Sequence, residues 1–343
     1  AARDRDNVIL LSPTGTGKTL AYLLPLIERL KQGVTGVQAM VIVPSRELAL
    51  QIEGVMKAMS LPWKAMSVYG GRAAMDEHRT MKGVQPTVII GTPGRLNDHL
   101  TKGNINASSI TTLVIDEFQE FFNINPSVYS DIQNYWDQYR LKTHINFIVS
   151  GSIYSLMTKI FQHYHEPLFG RADVMLKLNP FTLSVLKQIM SDYAPIHTND
   201  DLLALYTVTG GIPKYVELLV DAKALSVKKI IRAVCDPDSP FKDEGKHLLV
   251  DEFGKQYGTY FSILDAISNG LNTQAEIAAA LGEKSIGGQL KKLEETYEII
   301  KKMRPILAKR GTQTVRYEIS DTFLRFWFRY FEGNRTLVEM NQF

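Results

Sequence analysis

A lysine and a threonine close the glycine-rich run Ser12-Pro13-Thr14-Gly15-Thr16-Gly17-Lys18-Thr19. Small residues there let backbone N–H groups turn inward around a polyphosphate. Thr14, Gly15, Thr16 and Gly17 would form that cradle, Lys18 would reach the outer phosphates, and the Thr19 hydroxyl would ligate Mg²⁺. The pattern therefore implies ATP and Mg²⁺ as cofactors. An acidic pair, Asp116-Glu117, closes the apolar run Leu113-Val114-Ile115. Asp116 is suited to hold the metal and Glu117 to polarise an attacking water. A plainer role stays open, since Asp-Glu after a strand also caps helices. The same tripeptide recurs at Asp251-Glu252-Phe253, in a stretch that reads as helix.

These groups need a frame to position them. Apolar, β-branched runs at 8–11, 39–43, 87–90, 113–115 and 146–149 alternate with helical stretches. Runs apolar on both faces are those of buried parallel strands, and the alternation predicts a doubly wound α/β sheet. The fold expected over 1–178 is thus a P-loop NTPase core, RecA- or AAA-like, with ligands beyond the carboxyl ends of its strands. A helix from Leu20 to Leu30 would aim its positive end at the phosphates.

Residues 179–250 read as a helical lid. Leu202, Leu203, Leu205 and Tyr206 precede a break at Gly210-Gly211, and Pro213 opens the next helix. Residues 251–335 have the order of a winged helix-turn-helix. Helices are expected at 257–268, 274–281 and 286–296, and strands at 299–305 and 315–319 flank a turn at Gly311. Between Lys284 and Arg316 nine Lys or Arg face three Glu. Lys291 and Lys292 on the third helix, with Lys301, Lys302, Arg304, Lys309, Arg310 and Arg316 on the wing, suit DNA phosphates. Protein contact is the alternative use of such a domain. The run from Phe323 to Phe331 is too apolar to float free and reads as core or interface rather than base-stacking.

The chain has 343 residues, of which 45% are hydrophobic and 22% charged, a globular composition that suggests two or three domains. No apolar run reaches the length of a membrane span, and no secretory signal is visible. Cys235 is the sole cysteine, so an internal disulfide is excluded and a reducing cytoplasm is the expected setting. A net charge of +3 gives no overall basic character, so any nucleic-acid surface must be local. The chain begins at Ala1, without Met, and reaches the glycine-rich run almost at once, as a fragment would.

Residues 1–117 resemble the first RecA-like domain of DEAD-box RNA helicases. The resemblance rests on the glycine-rich run, Pro44-Ser45-Arg46-Glu47-Leu48-Ala49, Gly70-Gly71, Thr92-Pro93-Gly94-Arg95 and Asp116-Glu117, in family order. It implies that Arg46, Gly71, Thr92 and Arg95 grip the backbone of single-stranded RNA. The plainer alternatives are a turn at Thr92-Pro93-Gly94 and a helix-terminal salt bridge at Arg46.

From about residue 113 to 335 the chain instead resembles archaeal-type P-loop ATPases with a C-terminal winged helix. The carriers are Asp116 to Phe121, Trp136-Asp137, Ser150-Gly151-Ser152, Pro167 to Arg171, Asn179-Pro180-Phe181, Gly210 to Tyr215 and Arg316 to Phe328. This implies a γ-phosphate sensor at Ser150 or Ser152 and an arginine finger at Arg171, acting on a neighbouring subunit of a homo-oligomer. A helix N-cap at Ser152 and a surface salt bridge at Arg171 are the alternatives. His163 and His165 lie two apart with no acidic or cysteine partner nearby in sequence, and read as non-metal.

The chain departs from both patterns. Asp-Glu-Phe-Gln stands where helicases have Asp-Glu-Ala-Asp, the upstream Gln segment is absent, and no His-Arg-x-Gly-Arg-x-x-Arg run of a second RecA-like domain occurs. The chain therefore reads as a chimera. The expected function is ATP binding and hydrolysis coupled to nucleic acid through the winged helix. The alternatives are an RNA-binding helicase fragment without unwinding, or a splice of two families whose site does not assemble.

Overall fold

The computed structural model describes residues 7–11, 15–140, 142–143, 145–304 and 315–340. Thr14 lies outside the described residues, as do Lys309, Arg310 and Gly311. The chain divides into two compact units, Ala1–Leu178 and Asn179–Phe343.

The first unit is built on seven parallel strands. They are β1 (Asn7–Leu11), β2 (Ala39–Ile42), β3 (Ala65–Val68), β4 (Val88–Gly91), β5 (Thr112–Ile115), β6 (Asn146–Gly151) and β7 (Val174–Lys177). Their spatial order is β3-β4-β2-β5-β6-β1-β7. Crossovers carry α1 (Lys18–Arg29), α2 (Arg46–Ala58), α3 (Ala74–Val84), α4 (Pro93–Thr101), α5 (Glu120–Ile124), α6 (Ser127–Tyr139) and α7 (Tyr154–Gln162).

Alternation along each strand builds a core on both faces. Val8 and Leu10 join Val41, Val114 and Ile148 against Tyr22, Leu23 and Leu26 of α1 and Ile52 of α2. Ile9 and Leu11 point the other way, joining Ile115, Phe118, Tyr129 and Phe161. Met40, Met66, Val68 and Ile89 meet Met81 and Leu96 on that second side. Five strands were expected and seven are present among the described residues; the two additions, β3 and β7, are the sheet's edges.

Register then assembles the site. β6 lies between β1 and β5, with Leu11 opposite Gly151 and Ile115 opposite Val149. The residues after β6 therefore emerge between the carboxyl end of β1 and Asp116-Glu117, at the edge where the doubly wound plan puts ligands.

The second unit holds α8 (Leu183–Tyr193), α9 (Asn199–Thr209), α10 (Pro213–Asp221), α11 (Val227–Val234) and α12 (Phe241–Phe253). Then follow α13 (Tyr257–Ser268), α14 (Gln274–Ala280), α15 (Gly287–Glu295), an antiparallel pair β8 (Ile300–Met303) and β9 (Arg316–Ile319), α16 (Thr322–Tyr330) and α17 (Arg335–Glu339). Capping boxes start α9 and α14, with Thr198 paired to Asp201 and Thr273 to Glu276. Asp251-Glu252-Phe253 ends the helix α12 rather than a strand. One buried cluster runs through the unit from Leu186 to Phe331, and the aromatic run of α16 sits inside it.

Candidate nucleotide site and basic rim

Gly17 caps α1 with φ 87°, a left-handed conformation that a side chain would strain. A Cβ there would meet nothing within 4 Å, so space is left beside the helix N-terminus. Lys18 is 7% exposed, and its Nζ lies 4.0 Å from Glu117 Oε1. Burial lowers the Lys18 pKa, against the opposing pull of Glu117 and Asp116. Such a lysine gains most when an anion arrives to share its charge.

Asp116 is 3% exposed, and burial pushes its carboxyl up, reinforced by the charge of Glu117. The Tyr22 hydroxyl donates to Asp116 Oδ2 at 2.9 Å. The same phenol hydrogen-bonds the Thr19 side chain. Both expected metal ligands are thus held by one oxygen. A hydroxyl and a carboxylate are hard donors of the kind Mg²⁺ takes, with phosphate and water completing its shell. Among the described residues no group of three or more His, Cys, Asp or Glu could hold a metal by itself.

Glu117 has φ 49°, a left-handed backbone costly for a residue with a side chain. Its Oε2 accepts from Gln119 Nε2 at 2.6 Å and from Ser152 Oγ at 2.5 Å. The Ser152 N–H points at the same oxygen from 3.2 Å. Ser152 is therefore tied to the acidic pair and does not cap α7, whose N-cap position is Ile153. Gln119, buried at 1% exposure, also donates to Ser152 Oγ at 3.0 Å. Tyr22 and Gln119 were not singled out from sequence; only their spacing from Thr19 and Asp116 could have signalled them.

Arg171 turns to its own chain. Its Nη2 and Nε meet the two oxygens of Asp137 at 2.7 and 3.0 Å, and Nη1 donates to the carbonyls of Pro167 and Phe169. The bond to Arg171 holds the Asp137 carboxyl below the usual range.

A second group of residues gathers beyond β2, β3 and β4. Arg46 opens α2 and lies over the Tyr69 ring at 5.1 Å, rather than in a terminal salt bridge. Gly71 is exposed with φ 95°. Thr92 is the N-cap position of α4, though its side chain makes no capping bond. Arg95 is only 13% exposed at its side chain, with Nη1 3.2 Å from the buried Glu77.

On the second unit, Lys291 and Lys292 are exposed on α15. Lys291 pairs with Glu295 at 3.7 Å, Lys302 with Glu294, and Lys301 with Glu318 at 3.5 Å. Glu318 lies on the neighbouring strand, outside the segment whose charges the sequence counted. Three of the lysines counted from sequence, Lys291, Lys301 and Lys302, are thus partly engaged by glutamates.

The first unit thus joins a parallel α/β sheet to a buried Asp116 and a buried Lys18 at the carboxyl ends of its strands. Residues 1–152 match the family model for DEAD/DEAH box helicases. The match covers β1 through β6, so this stretch is similar to the DEAD/DEAH box helicase domain. The DEAD-box ATP-dependent RNA helicase CshA of Bacillus subtilis is 38% identical over 120 residues, 34% of this chain and 24% of that protein. The ATP-dependent RNA helicase DeaD of Escherichia coli is 36% identical over 121 residues, 34% of this chain and 19% of its own length. An uncharacterized protein of Methanocaldococcus jannaschii is 33% identical over 229 residues, 66% of this chain and 50% of the relative. A match that long exceeds the 178 residues of the first unit and so extends into the second. This chain spans half or less of each of these relatives. Among solved structures, a DEAD box protein of Methanococcus jannaschii is similar over 56% of this chain and 55% of its own, with 20% identity and a TM-score of 0.41. No described helix is long and apolar enough to cross a membrane.

Proposed function

We propose that the first unit binds and hydrolyses ATP with Mg²⁺, and that its basic rim holds single-stranded RNA. The observation that carries this is the meeting of Lys18, Thr19, Asp116 and Glu117 around Tyr22, with Lys18 Nζ 4.0 Å from Glu117. Thr19 and Asp116 would hold Mg²⁺, which would polarise the terminal phosphoryl group. Lys18 would leave Glu117 for the phosphate. That exchange frees Oε1 of Glu117 to orient a water, while Oε2 stays fixed by Gln119 and Ser152. Ser152, just after β6 and bonded to Glu117 Oε2, would report the phosphate to Glu117.

The test is steady-state ATPase rate in the parent, Lys18→Ala and Glu117→Gln. Glu117→Gln should lower turnover by about 10²–10⁴-fold with nucleotide still bound, as loss of a general base does. Lys18→Ala should lose nucleotide affinity. A parent that turns over with neither variant slower would remove the site assignment. RNA-stimulated turnover that depends on Arg46 supports the rim.

A second reading concerns residues 257–319, where three helices and an antiparallel strand pair follow in the order of a winged helix. That order supports duplex DNA binding through Lys291 and Lys292 on α15. Gel-shift of a short duplex by the parent, lost in Lys291→Ala/Lys292→Ala, is the expected outcome; equal shifts would overturn it.

A further inference from the structure

Two arginines share one buried ring. Tyr69, directly after β3, is 1% exposed, with the guanidinium carbons of Arg46 and Arg72 5.1 and 4.9 Å from its ring centroid. Both arginines are exposed. Stacking on an aromatic face orients a guanidinium while leaving its N–H edge for an anion.

The turn that carries Arg72 is tied at both ends to one carboxylate. Glu77 of α3 is 3% exposed, and its Oε1 accepts the Tyr69 N–H at 3.3 Å. Its Oε2 lies 3.2 Å from Arg95 Nη1, and Arg95 Nη2 donates to the Arg72 carbonyl at 2.7 Å. Glu77 Oε2 also meets His99 Nε2 at 3.1 Å. Asn104 Nδ2 faces His99 Nδ1 at 3.1 Å and has only protons to offer, so Nε2 carries the ring proton toward Glu77. Arg95 is thus engaged in holding the turn, whereas Arg72 presents its charge outward.

We propose that Arg72, beside Arg46, is a phosphate-contacting residue of the rim, and that Glu77 is the positioning residue that sets it through Tyr69 and Arg95. This rests on the reading of the rim as a single-stranded RNA surface.

The experiment is fluorescence anisotropy with a labelled ten-nucleotide oligouridylate at 50–200 mM KCl, on the full chain. Arg72→Gln keeps an aliphatic stem over Tyr69 and should raise Kd about tenfold, as loss of a charged hydrogen bond does. It should also flatten the log Kd against log salt slope by about 0.7, one phosphate on a single strand. An unchanged Tm shows that the variant is folded. Glu77→Gln and Arg95→Lys should each weaken binding in the parent but add nothing once Arg72 is Gln. Additive losses would overturn the positioning role. Arg72→Gln binding like the parent while Arg46→Gln binds more weakly would overturn the Arg72 contact and leave the rim standing. A parent that does not bind, or an Arg46→Gln without effect, would overturn the rim reading and this proposal with it.

Discussion

Asp116 and Gly151 show how a few atoms constrain the site. Burial raises the Asp116 carboxyl, so the native chain holds that proton more tightly than the unfolded chain does. A raised carboxyl contributes stability that is greatest in acid and declines as pH rises from the unfolded value through the raised native one. Asp116→Asn should therefore raise Tm at pH 7.5 and flatten its decline as pH rises above the ordinary carboxylate range, while abolishing Mg²⁺-dependent turnover. Thermal denaturation across that rise checks it, and a lower Tm at pH 7.5 would sink the argument. Gly151 ends β6, where a Cβ would fall 2.4 Å from Met157 Sδ and 2.6 Å from Gln119 Oε1. Gly151→Ala must displace the side chain that fixes Glu117. Overpacking of this kind costs about 1–3 kcal/mol. It should also lower turnover more than nucleotide affinity, which a paired melting and steady-state measurement would separate.

At the scale of elements, legibility followed burial. The five strands read from sequence lie inside the sheet or, for β1, between two neighbours, and their runs are apolar on both faces. The two that were missed are its edges. Ala65-Met66-Ser67-Val68 has a polar residue and only one β-branched one, and β7 is half-buried and ends in Lys177. An edge strand has one ladder partner and less need of apolar faces, so its sequence says less. The glycine-rich run and the Asp-Glu pair could be singled out from sequence because each is contiguous. The Tyr69–Glu77–Arg95 brace could not, because the end of β3 and two separate helices, α3 and α4, bring it together. The α16 helix was legible as buried but not as to its partner. Trp327 is 3% exposed, its Nε1 donates to the Lys242 carbonyl at 2.7 Å, and its ring covers Gly245 of α12. A Cβ on Gly245 would stand 2.2 Å from the indole. Gly245→Ala should cost about 1–3 kcal/mol by overpacking, and Trp327→Ala about 3–5 kcal/mol by cavity and lost hydrogen bond. Denaturant titration followed by aromatic circular dichroism reads both; a Gly245→Ala midpoint equal to the parent's would show that the two helices are not packed as described.

For the whole molecule, the buried clusters divide as the units do. Those of the sheet draw on residues before 179, and the single cluster of the second unit draws on residues after it. A segment with its own apolar core meets the physical requirement for folding alone. Residues 179–343 produced separately should therefore unfold cooperatively and retain helical circular dichroism. Residues 1–178 should keep nucleotide and oligouridylate binding with the same salt slope as the full chain. Duplex DNA binding, if the order of α13 to β9 is used as proposed, should travel with the second piece and depend on Lys291 and Lys292. The partial pairing of that surface with Glu294, Glu295 and Glu318 bears on the magnitude. Each intramolecular pair must be broken before a phosphate takes its lysine, so fewer counterions are released on binding than the lysine count implies. The slope of log Kd against log salt for the second piece should thus fall below the value for six net charges, and Glu294→Gln/Glu295→Gln should strengthen duplex binding. Weaker binding by that variant would mean the glutamates order α15 for its partner rather than compete with it.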